Sequence, residues 1–322
     1  MKRLAGVSSA IVLLAAVMAN AQQPPIITNV RAAIAKQDFG EAERLVAAHR
    51  AANGVTPPML EALSWIGRGA LAAKQGPKAE ALAQQAYDLG VAALKGRTLD
   101  AEPHLPVAIG AAIEVLAKAA AERGARADAV SFLQRELATF ANTSIHTRIQ
   151  KNLNLLSLEG TPAPELDLSE HIGKPPPTLA SLKGKVTLLF FWAHWCSDCK
   201  AQGPVVASLM AKYASQGLVV VAPTQRYGYV AGGKAAAAAD ETRYIAEVQR
   251  TSYPGLSQVA VPVSDRNHKR YGVSTTPTLV VVDRKGIVRL YNPGQMGEQA
   301  LEPLLKRPVS YTHLTLPTSD LV

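Results

Sequence analysis

Both cysteines of this 322-residue chain fall in one short segment, Trp195-Cys196-Ser197-Asp198-Cys199-Lys200. No other feature constrains the fold as much. The segment closes an apolar run, Val186–Trp192, and opens a stretch of helical periodicity, Ser197–Gln216. A strand that feeds a helix through such a turn needs a layered sheet-and-helix neighbourhood to bury both elements. Two cysteines are too few for a disulfide-stapled scaffold or a four-cysteine zinc or iron–sulfur site.

The turn also carries chemistry. A first cysteine at a helix N-terminus faces unpaired N–H groups and the positive end of the helix dipole, which favour its thiolate. The thiolate is the species that attacks disulfides. Two intervening residues let Cys199 reach Cys196, so an exposed, closable disulfide is expected, with Cys196 as nucleophile and Cys199 as resolving thiol. Asp198, in the first turn, is expected to cap the helix, while its charge works against a thiolate. His194, if protonated and close, and Lys200 would work for it. Trp195 is expected to shield the disulfide and Trp192 to lie in the core.

Composition changes at Gly160. Residues 22–159 are rich in Ala and Leu, with Asn53-Gly54, Gly76-Pro77 and Gly124 as punctuation. Helices are predicted over 26–36, 40–52, 58–75, 77–95, 104–123, 125–140 and 143–158. Trp65, Gly69, Ala79 and Tyr87 give the large–small alternation of paired helices, which resembles a tetratricopeptide unit. Such TPR-like hairpins imply either a protein-docking surface or a bundle that supports its neighbour. A Pro-containing linker follows at Gly160–Pro164. Beyond it, strands are predicted over 186–192, 218–222, 278–282 and 287–291, the last two joined by the turn Asp283–Gly286. Helices are predicted over 240–250 and 298–306, and 265–270 reads as a solvated helix start.

Residues 160–308 resemble the TlpA-like thiol–disulfide oxidoreductases of the thioredoxin superfamily. The resemblance rests on Gly160-Thr161-Pro162-Ala163-Pro164-Glu165-Leu166 and on Leu182-Lys183-Gly184-Lys185-Val186. It extends through Phe190–Cys196, Pro204 in the following helix, and Tyr271-Gly272-Val273-Ser274-Thr275-Thr276-Pro277-Thr278. It implies a thioredoxin-like mixed-sheet domain over 160–308, following the helical-hairpin domain read over 22–159. It also implies a cis Pro277, with the Thr276 backbone beside Cys196 and able to pair with an extended substrate strand. The function implied is disulfide exchange with protein partners, in the reducing direction, without an organic cofactor or metal and with electrons drawn from another redox protein. His194 and the Ser197-Asp198 dipeptide depart from the family pattern.

Other classes fit less well. The formal net charge of +9 is dispersed, without the basic stripe or motif a nucleic-acid binder needs. Copper carriage would recruit His194 and a distant histidine, His268, to the two sulfurs. A peroxidase would need an activated cysteine in a Pro/Thr setting, which neither cysteine has. A non-enzymatic docking scaffold is a further alternative. Gly228–Lys234 fits a phosphate-loop spacing, but Ala235 stands where the loop needs Ser or Thr, so an inserted surface loop over 224–239 is the plainer reading. Lys2 and Arg3, the apolar stretch 10–19 and Ala19-Asn20-Ala21 are the layout of a secretory signal peptide over 1–21. Export to the periplasm is therefore expected, with an uncleaved membrane anchor as the alternative. Residues 309–322 read as the translation of a sequencing adapter or a disordered tail.

Overall fold

A computed structural model describes residues 24–306. The expected leader over 1–21 and tail over 309–322 lie outside the described residues. Seven helices form the first half: α1 (Pro25–Ala35), α2 (Phe39–Asn53), α3 (Pro57–Ala72), α4 (Gly76–Leu94), α5 (His104–Glu122), α6 (Arg126–Thr139) and α7 (His146–Ser157). The local signals that start and stop them are explicit. Asp38 accepts the Glu41 N–H at 2.9 Å, and Thr56 caps α3 ahead of a proline at its first position. Gly54 ends α2 with φ +72°, a conformation costly for other residues.

Neighbouring helices pack as hairpins, α1 on α2, α3 on α4 and α5 on α6, with α3 also against α1 and α5. Small side chains permit the close approach. A methyl group on Gly69 would stand 2.7 Å from Ile34 Cγ2. The long apolar α5 is the central helix of this half, and its buried face runs from Leu105 to Ala120.

The second half is built on a four-stranded sheet. The strands are β1 (His171–Ile172), β2 (Val186–Phe191), β3 (Leu218–Val221), β4 (Val261–Pro262), β5 (Thr278–Val282) and β6 (Val288–Pro293). The main sheet runs β3-β2-β5-β6, with β2 parallel to β3 and the other pairs antiparallel. β1 and β4 make a separate two-residue pair, too short to give a period-two signal in the sequence. Helices α8 (Ser197–Tyr213), α9 (Ala238–Ser252), α10 (Asp265–Arg270) and α11 (Glu298–Lys306) complete it.

Strand periodicity divides the core. Val186, Leu188 and Phe190 join Val206 and Leu209 of α8, Ile245 of α9 and Leu301 of α11 on one face, with both cysteines. Leu189 and Phe191 point the other way, to Leu158, Tyr271 and Val280.

The segment read as a linker is not a free tether. Gly160 N–H donates to Val288 O and Ala163 N–H to Gly286 O, each at 2.9 Å, so residues 160–163 extend the β6 edge. Glu159 accepts the Tyr291 N–H at 2.9 Å. α7 lies against α10, and Gly272, at φ +62°, sits so close to it that a Cβ would be 2.3 Å from Lys151 N. The two halves therefore meet backbone to backbone. α10 is correspondingly not a solvated turn: Asn267 and His268 are buried, and Asn267 donates to Asp167 O and accepts the Asp167 N–H.

Candidate active site

β2 is buried along its whole length, and its C-terminal end delivers Trp192 to Cys196. Trp192 is fixed on three sides. Its indole donates to Ala222 O at 3.0 Å, its N–H to Pro223 O, and its carbonyl accepts the Thr224 hydroxyl. The chain then turns into α8 with Cys196 as the N-cap residue.

Cys196 and Cys199 are joined as a disulfide with Cα atoms 5.3 Å apart. The Cys199 N–H donates to Cys196 Sγ at 3.0 Å. The acceptor that caps α8 is thus the sulfur and not Asp198, which is exposed two residues further on. Geometry decides this: the N-cap side chain reaches the free N–H groups of the first turn, whereas the side chain of a residue already inside that turn points away from them.

The disulfide is less exposed than expected. Cys196 is 3% exposed and Cys199 fully buried. Both sulfurs tuck into the apolar cluster of Trp192, Phe190 and Val206, because capping draws the Cys196 side chain back over the helix end. Trp195 projects instead, 50% exposed.

The surrounding loops are tied to this turn. Thr278 pairs with Phe191, which brings Pro277 beside Trp192 at the strand end that leads to the cysteines. The Thr276–Pro277 peptide is cis, and Pro277 O accepts the Gly294 N–H at 2.7 Å. The Gln202 amide, inside α8, both donates to Met296 O and accepts the Met296 N–H. Gln295 donates to Asp198 O. Pro204 lies within α8. Lys200 is exposed on its first turns.

His194 is buried. Its Nε2 lies 3.2 Å from Glu241 Oε1, and both side chains are 1% exposed. Burial, the largest influence, pushes the imidazole below its ordinary pKa; the Glu241 hydrogen bond and charge oppose this, and Lys200 adds to it. Three tyrosines, Tyr227, Tyr229 and Tyr244, present ring edges or faces to it, and Tyr227 also contacts Trp195. Sequence reasoning missed Glu241 and the tyrosines. The signal available was the inserted segment 224–239 lying between two core elements.

That segment is a closed loop, with Tyr229 bridging to Ala235. Lys234 is extended and α9 starts only at Ala238, so the loop does not aim helix N–H groups at a phosphate as its spacing suggested. His268 packs edge-on against Phe191, on the face of the sheet opposite the cysteines. It does not converge with them on a metal. Among the described residues no group of three or more His, Cys, Asp or Glu side chains is placed to hold an ion.

A cysteine pair at the N-terminus of α8, beside a proline loop and below a mixed sheet, defines a thiol–disulfide oxidoreductase of thioredoxin fold. Comparison with known proteins agrees. Residues 160–291 match the AhpC/TSA family. Thioredoxin-like protein YneN of Bacillus subtilis is 30% identical over 147 residues, which span 46% of this chain and 78% of YneN. Thiol-disulfide oxidoreductase ResA of Bacillus thuringiensis is 28% identical over 148 residues, 46% of this chain and 77% of ResA. Among solved structures, the pneumococcal exposed lipoprotein thioredoxin of Streptococcus pneumoniae is 29% identical, covering 40% of this chain and 90% of its own, with a TM-score of 0.32. The chain belongs to this family of thioredoxin-like thiol–disulfide oxidoreductases. The family match leaves residues 24–159 outside it.

Proposed function

We propose that this oxidoreductase is exported by its N-terminal leader and reduces disulfides in protein clients, with Cys196 as nucleophile and Cys199 as resolving thiol. In the dithiol form the Cys196 thiolate attacks one sulfur of a client disulfide. A mixed disulfide forms and the client's other sulfur leaves as a thiolate. Cys199, having lost its proton, attacks Cys196 Sγ and expels the second client thiolate. Two electrons pass to the client, and a dithiol partner protein then restores the reduced pair by the same exchange in reverse. No organic cofactor is needed for any step.

One observation carries this reading: the Cys199 N–H directed at Cys196 Sγ across the start of α8. A donor aimed at the sulfur, together with the helix terminus, favours negative charge there. Cys196 is also the outer member of the pair. Thr276, half-buried beside cis Pro277, would offer its backbone to an extended client segment, and Trp195 its exposed indole. The helical hairpins of residues 25–157 would dock a partner. The reducing direction rests on the family resemblance and on the acidic Asp198 in the first turn.

The experiment is a trap. Cys199→Ser, expressed in the native cell, should hold clients on Cys196 as adducts that disappear on thiol reduction and are identified by mass spectrometry. Cys196→Ser should hold none. Equal adduct patterns from both variants would refute the assigned roles, and a potential for the pair more oxidising than about −150 mV would refute the reducing direction.

A further inference from the structure

The exchange steps above make no use of His194 and Glu241, although they are the buried ionisable pair nearest in sequence to the nucleophile. His194 precedes Cys196 by two residues, so their Cα atoms are at most ~7.6 Å apart. The pair belongs to three elements. His194 lies midway along the β2–α8 connection, Glu241 sits in the first turn of α9, and the loop between β3 and α9 closes over both. Glu241 accepts the Tyr227 N–H and the Gly228 N–H as well as facing His194 Nε2. A carboxylate only accepts, so Nε2 carries the hydrogen and Nδ1 is the nitrogen that can gain a proton.

The charged groups that face the pair are few. Lys200 acts from α8. Arg226 acts from the loop, where it pairs with Glu170 and feels the Glu241 charge. The remaining neighbours are the phenols of Tyr227, Tyr229 and Tyr244.

We propose that His194 is a positioning residue whose protonation, set against the Glu241 carboxylate it faces, controls how readily Cys196 ionises. With His194 neutral the pair is negative and opposes a thiolate. With His194 protonated the pair is neutral and the opposition is lifted. A poorly tolerated thiolate holds its electrons loosely, which suits a reductant. The inference rests on Cys196 being the nucleophile, but its test does not.

The coupling is reciprocal, so it is read first at the histidine. In the Cys199→Ser protein, Cys196 is alkylated with iodoacetate, which leaves a negative carboxymethyl group, or with iodoacetamide, which leaves a neutral one. The His194 C2–H resonance, assigned by its loss in His194→Gln, is then titrated by NMR. The midpoint should lie higher with the negative group by about half to one pH unit. Identical midpoints would overturn the proposal.

The second reading is the Cys196 thiolate midpoint, followed by its ultraviolet absorbance in the same Cys199→Ser background. Glu241→Gln should lower it by about one pH unit. His194→Gln, which keeps a donor toward Glu241 and cannot protonate, should leave it at its value above the His194 titration. An unchanged midpoint in Glu241→Gln, or an equal drop in both variants, would mean the pair only braces the loop. The alkylation comparison stands even if Glu241→Gln fails to fold. A trap that fails in Cys199→Ser while the His194 midpoint moves would refute the proposed nucleophile and leave this coupling in place.

Discussion

Two buried ionisable groups, one in each half of the molecule, are held in opposite ways. In the helical half Glu114, inside α5, is surrounded by cations. Arg148 lies at 3.0 Å, Lys118 at 3.2 Å and Lys151 at 3.6 Å. Burial by itself would raise its pKa, but these charges and Arg68 hold it down at about 2. In the redox half His268 is buried with no cation or carboxylate bonded to it. Its Nδ1 faces Ser264 O at 3.4 Å and its Nε2 has no partner. Desolvation drives it to about 4. Glu114 keeps its buried charge because partners surround it, and His268 is held neutral because none does. Glu114 sits where cations from α5 and α7 converge on it, whereas His268 packs against the apolar ring of Phe191, where a charge would go unanswered.

The largest expected effect is at the seam. Gly272→Ala would drive a Cβ into the Lys151 backbone from a left-handed conformation, and backbone cannot step aside as a side chain can. We expect a loss of ~3 kcal/mol or more in urea unfolding, with the two halves melting separately. Gly69→Ala meets side chains, Ile34 Cγ2 at 2.7 Å and Phe39 Cε1 at 3.2 Å, rather than backbone, and a helical alanine returns part of the cost, so a loss near ~1 kcal/mol is expected. Equal losses would show that the seam is no tighter than a hairpin contact.

Next is Glu114→Gln, which leaves Arg148 and Lys151 without their carboxylate. A loss of ~3 kcal/mol is expected, confined to amide-exchange protection in residues 25–157. Protection lost equally over the sheet would contradict a separation of the two charge systems.

Acid should separate the halves in a set order. His268 has a folded pKa below its unfolded one, so the unfolded chain binds more protons and stability falls as pH drops from about 6.5 to about 4. The full loss is ~3 kcal/mol. Glu114 likewise has a lowered pKa, and its contribution is present above about 4.5 and lost as pH falls toward about 2. Amide exchange at pH 4.5 should therefore show the redox half opening and the helical half intact. The reverse order would break the comparison.

What could be read from the sequence follows the range of the contacts. Helices α1–α6 are written in local periodicity and caps, and their ends fall within a few residues of those expected; α7 starts three residues late, at His146, because the preceding residues 140–145 form turns. β2, β5 and the cysteine turn were legible because a largely apolar strand and a short motif are local signals. Glu241 was not, since it lies 47 residues beyond His194 and stands in a plain acidic first turn of a helix. His268 was misread for the same reason: Asp265 and Arg266 make its segment look solvated, and only distant contacts, of α10 with α7, of Asn267 with Asp167 and of His268 with Phe191, bury it. The capping sulfur was hidden by convention, because Asp is a commoner cap than Cys.

The central claim is that one sulfur, Cys196, carries the exchange. Insulin reduction, with dithiothreitol as electron source, measures it directly through the rate at which the insulin B chain precipitates. The wild-type protein should accelerate precipitation, and Cys196→Ser should fall to the uncatalysed rate while unfolding at a similar urea concentration. Equal turnover by the two proteins would contradict the account.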